Sequence, residues 1–129
     1  MRLRALALVV ALPAALALSA CSDEGEVSDG GGAAAGADTT VTVSATDEAC
    51  ELSGTTAAPG SVAFVVTNTG TKVNEFYLYD GDDVVGEVEN IGPGLTRTLT
   101  VTDLEAGTYT SACKPGMTGD GIRADFTVQ

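Results

Sequence analysis

Two sulfur-bearing side chains stand four residues apart in the segment TSACKPGMTGDG, residues 110–121. Cys113 and Met117 flank a turn that contains Pro115 and Gly116. Thiolate and thioether sulfur are soft ligands that suit Cu(I). A cysteine in a small domain outside the cytoplasm forms a disulfide just as readily. The stretch is therefore a candidate for a metal site and equally for a disulfide bridge.

The 129-residue chain contains no histidine, and this absence limits the chemistry that it can perform. A serine or cysteine triad of the usual kind, a zincin site and a histidine-ligated zinc or haem all need that residue. A glycine-rich phosphate loop is missing as well. Glu87 and Glu89 share a strand face by period two, yet no sign of a cleft accompanies them. We expect a binding protein and not an enzyme.

The first twenty residues have the pattern of a targeting segment. Arg2 and Arg4 precede an apolar run over residues 5–20, which is too short for a comfortable membrane span. The run ends in LSAC, which resembles the bacterial lipobox. We expect residues 1–20 to be a lipoprotein signal peptide and Cys21 to carry the acyl chains, palmitate among them. The chain is then anchored to the extracytoplasmic face of the cell membrane. The alternative is an ordinary secretory signal with an incidental cysteine.

The charge balance is strongly acidic. The whole chain carries 6 basic and 18 acidic residues, a net charge of −12. Removal of residues 1–20 leaves four basic residues against eighteen acidic ones, a net charge of −14. Such a surface disfavours nucleic acid and attracts cations. Residues 22–38 are acidic and glycine-rich and predict a flexible tether, so that residues 39–129 form the single folded domain.

Beyond the tether the sequence has the pattern of short β-strands. Apolar residues alternate with polar ones in five runs, and turn-forming residues separate the runs at 58–60, 68–70, 80–83, 92–94 and 105–107. The side chains expected on buried faces are Val41, Val43, Ala45, Val62, Phe64, Val66, Phe76, Leu78, Leu99, Val101, Phe126 and Val128. No segment of helical length shows a 3.6-residue period. The sequence predicts an all-β, antiparallel Greek-key sandwich of seven or eight strands.

A cysteine at the end of the penultimate strand, followed by a Pro-Gly loop and a last strand, resembles a cupredoxin. In NTGTKVNEF, Glu75 stands where that fold has its first histidine ligand. In CKPGM, Cys113 takes the cysteine position and Met117 stands about where the second histidine would be. Type 1 blue copper needs two histidines and a cysteine around the metal. We therefore expect that the domain is not a blue-copper electron carrier.

Several unusual segments in order resemble the N-terminal cupredoxin-like domain of the EfeO iron-uptake family. They are DEACEL, KVNEFYLYD, VGEVENIGPG, AGTYTSACKPGM and GIRADFTV, within residues 40–128. The resemblance implies Cys50, Glu75 and Cys113 as metal ligands, with Glu89 and Met117 as additional ones. Sulfur favours copper, while carboxylates favour a harder ion such as Fe(III). We expect copper at the sulfur cluster, or iron at Glu75 and Glu89.

The relation between Cys50 and Cys113 remains open at this point. With Cys21 lipidated, two cysteines are left, and an even number outside the cytoplasm is typical of a disulfide. A sulfur–sulfur distance at bonding length favours the bridge. A distance of a few ångströms between the two sulfur atoms, with the side chains of Glu75 and Met117 directed at the space between them, favours a metal site.

Two functions follow from these patterns. The first is a membrane-anchored metal-binding protein that assists iron uptake, together with an iron-uptake permease or a related envelope protein. The alternative is a disulfide-stabilised β-sandwich without metal that serves as an interaction module on the cell envelope.

Overall fold

The structure is a computed structural model that describes residues 36–129. The expected signal peptide at 1–20, the lipidation at Cys21 and most of the tether at 22–38 lie outside the described residues. Within residues 36–129, no helix has the length and apolar character that crossing a membrane requires.

Nine strands and one short 3-10 turn make up the described part of the chain. The strands are β1 (Thr39–Ala45), β2 (Cys50–Leu52), β3 (Thr56–Ala57), β4 (Gly60–Asn68), β5 (Asn74–Asp80), β6 (Asp83–Ile91), β7 (Thr96–Leu104), β8 (Gly107–Cys113) and β9 (Ile122–Val128). The 3-10 turn, Pro115–Met117, lies between β8 and β9. Each turn predicted from glycine, proline and asparagine lies at or between strand ends.

The strands form two sheets, with the orders β2-β1-β4-β7 and β3-β9-β8-β5-β6. The predicted β-sandwich is therefore confirmed. Among the described strand pairs, β1 with β4 and β3 with β9 are parallel, and the others are antiparallel. Side chains alternate with period two in parallel and antiparallel strands alike, so the sequence pattern could not distinguish the two directions.

The core lies between the two sheets and is centred on three phenylalanines. The ring of Phe64 in β4 lies 5.2 Å from those of Phe76 in β5 and Phe126 in β9, centroid to centroid. All three are fully buried, and aromatic rings at this separation pack favourably edge-to-face or tilted. Every side chain that the alternation assigned to a buried face is buried in the core. Burial of this apolar surface is the main force that holds the sheets together.

A glycine brings β6 of one sheet close to β7 of the other. A Cβ atom added at Gly86 would lie 2.7 Å from Val101 Cγ2 and 3.3 Å from both Leu99 Cδ atoms. Side chains of β7 therefore occupy the space above Gly86. Strand β6, which carries Glu87 and Glu89, is held against the core by this contact.

Candidate functional site

The residues predicted to carry chemistry collect at one end of the sandwich. In the register of the second sheet, Asn74 lies opposite Ile91, and Phe76 lies opposite both Val88 and Cys113. Glu75, near the start of β5, therefore lies close to the end of β6 and to the end of β8. Strand pairing thus brings together segments that are far apart in the sequence.

Asn68, the last residue of β4, holds this end of the sandwich together. Its fully buried side-chain amide donates hydrogen bonds of 2.7 Å to the carbonyl oxygens of Lys72 and Ile91. Its side-chain oxygen accepts a hydrogen bond of 2.9 Å from the amide of Gly70. Since Ile91 ends β6, a single side chain on β4 links the two sheets through a buried hydrogen bond to a backbone carbonyl.

Asp47 fixes the turn that leads into β5. Its carboxylate accepts hydrogen bonds from the hydroxyl and amide of Thr71, at 2.6 and 2.9 Å, and from the amide of Lys72 at 3.1 Å. The hydroxyl of Thr71 and then the amide of Lys72 lower the pKa of Asp47 below its ordinary value. The ionised carboxylate is therefore part of the folded turn.

Cys50 and Cys113 are joined by a disulfide, with a sulfur–sulfur distance of 1.98 Å. The bridge connects β2 of the first sheet to the end of β8 in the second, and Cys113 is fully buried. The two sulfur atoms are thus at bonding distance, which favours a disulfide bridge over a pair of metal ligands. A metal binds the thiolate form of cysteine, so neither sulfur is a thiolate ligand in this state.

Met117 lies apart from the buried groups, in the 3-10 turn that follows the bridge. Its side chain is 42% exposed, and its φ of 57° is left-handed. The turn is fixed by backbone hydrogen bonds, from Met117 to the carbonyl of Lys114 and from Gly116 to the carbonyl of Val73. Over residues 36–129, no group of three cysteine, aspartate or glutamate side chains converges as in a preformed metal site. Of the expected ligands, Cys50 and Cys113 are bonded to each other, and the side chain of Glu75 accepts a hydrogen bond from Tyr77.

Two of the expected ligands do meet, around a residue that received no ligand role from the sequence. The hydroxyl oxygen of Tyr77 lies 3.2 Å from Glu75 Oε2 and 3.4 Å from Glu89 Oε1. Glu75 and Tyr77 follow each other on the outer face of β5, and Glu89 reaches them from β6. We call Glu75, Tyr77 and Glu89 the carboxylate–tyrosine cluster. The sequence carries one signal of this cluster: Glu75 and Tyr77 are spaced two apart, as are Glu87 and Glu89, so that each pair lies on one face of its strand.

The carboxylate–tyrosine cluster is buried at one side and open at the other. Glu75 is 7% exposed and Tyr77 9% exposed, whereas Glu89 is exposed. Burial, followed by the charge of Glu75 and the hydrogen bond to it, raises the pKa of Tyr77 well above its ordinary value, with smaller effects from Glu87 and Glu89. The surroundings of the Tyr77 hydroxyl are therefore negatively charged.

Two basic side chains cover the neighbouring tyrosine rings on the same face. Lys114 Nζ lies 4.1 Å from the centroid of the Tyr77 ring, and the guanidinium of Arg123 lies 4.7 Å from that of Tyr79. The two rings stack with their centroids 5.6 Å apart. These cation–π contacts explain why the tyrosines are buried on the outer face of a sheet.

The residues present do not fit a blue-copper centre. The chain has no histidine, and the cysteine at the equivalent position is held in the disulfide. A His₂Cys ligand set therefore cannot form. The side-chain oxygens of the carboxylate–tyrosine cluster are of the type that harder ions prefer.

Comparisons with curated sequences show similarity to iron-uptake proteins. "Iron uptake system component EfeO" of Yersinia pseudotuberculosis is 37% identical over 73 residues, which are 57% of this chain and 19% of that protein. The protein of the same name from Escherichia coli K12 is 36% identical over 73 residues, with the same coverage. The chain thus spans about a fifth of the length of these relatives.

Solved structures with the same fold include two auracyanins. Reduced auracyanin from Roseiflexus castenholzii superposes with a TM-score of 0.56 at 19% identity, over 73% of this chain and 99% of that one. Auracyanin B gives a TM-score of 0.57 at 16% identity, over 72% and 90% of the two chains. At such identities the likeness concerns the fold alone. The family model of the cupredoxin-like domain matches residues 8–128. The chain therefore belongs to the cupredoxin-like domain family and resembles the EfeO members of it.

Proposed function

We propose that the chain captures iron outside the cytoplasm as a membrane-anchored component of an iron-uptake system, and that it binds the ion without catalysing a reaction. Glu75 and Glu89 hold the ion, which is cargo and not a resident cofactor. The anchor is the acylated Cys21, and the receiving partner is an iron permease or a related envelope protein. The similarity to EfeO iron-uptake components supports the choice of cargo.

One observation carries this proposal: two carboxylates from neighbouring strands converge on the same hydroxyl oxygen without a basic partner. Within the described residues, the side chains of Glu75 and Glu89 interact only with Tyr77, and neither forms an ion pair. Both carboxylates attract a cation placed between them, and carboxylate oxygens favour hard ions such as Fe(III).

Copper is the other cargo that the ligand types allow, at Cys50, Cys113 and Met117. It requires that the disulfide first be reduced, because the thiolate is the ligand. Oxidised chain should therefore take up iron and not Cu(I). Only chain treated with a thiol reductant should gain a Cu(I) site.

The test is iron uptake by the purified full chain. Ferric citrate is offered in equilibrium dialysis, and bound iron per chain is measured by metal analysis. We expect about one iron per wild-type chain and at least tenfold weaker binding for Glu75→Gln and for Glu89→Gln. The matched control is Glu51→Gln, since Glu51 is an exposed glutamate on β2 of the other sheet. Absence of iron from the wild type, or wild-type binding by Glu75→Gln, would refute the proposal.

The anchor is tested separately, by labelling cells with a palmitate analogue. We expect the wild type to carry the label and Cys21→Ser to lack it. We also expect that variant to be released from the membrane fraction. Equal membrane retention of the unlabelled variant would show that Cys21 is not the anchor.

A second candidate function is a disulfide-stabilised interaction module, and the Cys50–Cys113 bridge favours it. The bridge stabilises the sandwich without any metal. This candidate is selected if the folded chain binds no iron when oxidised and no copper when reduced.

A further inference from the structure

We propose that Cys50 is the point at which the Cys50–Cys113 bridge exchanges with an external thiol, and that the natural reductant is a protein dithiol whose reactive sulfur lies among basic residues. The proposal concerns the bridge alone. It does not depend on iron capture, because neither sulfur belongs to the carboxylate–tyrosine cluster.

The two halves of the bridge differ in their access to solvent. Cys113 is fully buried in β8, where Phe76 of β5 lies opposite on one side and Ile122 of β9 on the other. Cys50 is only partly buried, and it begins β2, the three-residue strand at the edge of the first sheet. The rate of thiol–disulfide exchange depends on which sulfur is attacked and on access to it. In the folded chain, an external thiolate therefore reaches the bridge from the side of Cys50.

The segment that carries Cys50 can leave the second sheet without disturbing the core. Residues 46–49 form a turn closed by local hydrogen bonds, from the amide of Thr46 to the carbonyl of Ala49 at 2.9 Å and from the amide of Ala49 to the Thr46 hydroxyl oxygen at 2.8 Å. Among the described strands, β2 pairs with β1 alone. Opening of the bridge therefore releases an edge segment from β8 while its pairing with β1 remains.

Acidic side chains around Cys50 determine which kind of thiol approaches it fastest. Asp47, Glu48 and Glu51 lie within three residues of it, and Glu48 and Glu51 are exposed. Lys72 lies near Asp47 and compensates the charge of that carboxylate. The negative field that remains slows the approach of an anionic thiol and speeds that of a cationic one. The complementary protein surface is a reactive sulfur surrounded by lysine or arginine.

The exchange consists of two balanced steps. The thiolate of the partner bonds to Cys50 Sγ, the bond between the two sulfurs of the bridge breaks, and the sulfur of Cys113 leaves with the electron pair and takes up a proton. The second thiol of the partner then attacks the partner sulfur of the mixed disulfide and releases Cys50 as a thiol. The bridge gains two electrons and two protons, and the dithiol is oxidised to a disulfide.

The point of exchange is tested on the full chain with Cys21→Ser, so that Cys50 and Cys113 are its only cysteines. The oxidised chain is mixed with excess glutathione and quenched with acid, and the glutathione on each cysteine is located by peptide mass spectrometry. We expect early adducts at Cys50 to exceed those at Cys113 by about tenfold or more. The rate should stay constant in urea that is too dilute to unfold the chain. Equal labelling, labelling of Cys113, no adduct in the folded chain, or a rate that rises with urea would overturn the proposal.

The choice of reductant is tested by comparing glutathione, which has a net negative charge, with cysteamine, which is cationic. Raising the salt concentration to about 0.5 M should slow reduction by cysteamine and speed reduction by glutathione, each by about twofold or more, because salt screens the acidic side chains. Glu48→Gln/Glu51→Gln should lose most of this salt dependence. The matched control is Glu105→Gln, at an exposed position between β7 and β8, and it should behave as the wild type.

The outcomes for the two thiols decide the second half of the proposal separately. The same salt dependence for both thiols, or wild-type behaviour of the double variant, would refute a partner with a basic surface and leave Cys50 as the point of exchange. Both experiments use chain with the bridge intact, so neither depends on the folding of a cysteine variant.

Discussion

The backbone amide of Lys114 donates a hydrogen bond of 2.9 Å to the carbonyl oxygen of Glu75. The residue after Cys113 is therefore tied to the residue that supplies the buried carboxylate. The disulfide and the carboxylate–tyrosine cluster share this backbone contact, although they share no side chain. The bridge thus stabilises the strand end on which Glu75 lies.

Removal of the bridge should lower stability and leave iron binding in place. The two cysteines are 63 residues apart, and closing a loop of that length stabilises a fold by about 4 kcal/mol in the chain-entropy model. We expect Cys50→Ala/Cys113→Ala to lose about 2–4 kcal/mol in urea unfolding. Iron uptake under folding conditions should match the wild type. An unchanged unfolding midpoint, or loss of iron from the folded variant, would contradict this account.

Asn68→Ala should be among the most destabilising polar substitutions of the domain. It removes three hydrogen bonds and leaves the carbonyl oxygens of Lys72 and Ile91 without their donor. We expect a loss of about 2–5 kcal/mol in the free energy of unfolding, because buried groups without partners are costly. Thr100→Ala, at an exposed position on β7, is the control and should change stability by less than about 0.5 kcal/mol. Similar losses in both variants would refute the bridging role.

Asp47 should make stability depend on pH in the acidic range. Its pKa is lowered in the folded state from the ordinary value of 3.8, chiefly by the hydrogen bond from the Thr71 hydroxyl. The unfolded chain therefore binds the proton more readily than the folded one. The stability that the ionised group contributes is complete above its unfolded pKa and is lost as pH falls through its folded pKa.

The measurement is urea unfolding at a series of pH values between neutrality and strong acid. Asp47→Asn should flatten the acidic part of the stability curve relative to the wild type. Asp82→Asn, in the exposed hairpin between β5 and β6, is the matched control and should keep the wild-type curve. The same acid dependence in Asp47→Asn and wild type would show that Asp47 does not cause it.

Lys114→Gln should strengthen iron binding. The ammonium lies 4.1 Å from the Tyr77 ring centroid and repels a cation held at the hydroxyl end of that ring. Repulsion of about 0.5–1.4 kcal/mol corresponds to a gain in affinity of about two- to tenfold. Arg123→Gln should have a smaller effect, since Arg123 lies over Tyr79. The dialysis assay measures both, and weaker binding by Lys114→Gln would contradict the placement of the ion.

The inner faces of the sandwich could be predicted from the sequence because burial follows alternation. Val41 and Val43 in β1, for example, are buried as their spacing predicts. Strand direction could not be predicted, since β1 beside β4 has the same period in either direction. The strands β2 and β3, of three and two residues, are too short to show a period at all.

The outer face was harder to predict. Alternation places Tyr77 and Tyr79 on the face opposite to Phe76 and Leu78, yet both tyrosines are less than 10% exposed, because Lys114 and Arg123 lie over their rings. These cations come from β9 and from the loop after β8, and a local pattern carries no information on such contacts. The meeting of Glu75 with Glu89 depends likewise on the register between β5 and β6. That register shifts irregularly between Asn74 and Phe76, where no turn residue marks it.

The direction of β1 determines at which end of the sandwich the chain enters the domain. Thr39 lies beside Val62, and Ala45 lies beside Asn68, so the chain enters the sandwich at the end opposite to Asn68. The carboxylate–tyrosine cluster lies at the Asn68 end, about 20 Å further along the strand direction. If residues 22–38 form the expected tether, it joins the domain at the end opposite to the carboxylate–tyrosine cluster. Under the proposed function, a partner that collects the ion would then reach the cluster without displacing the tether.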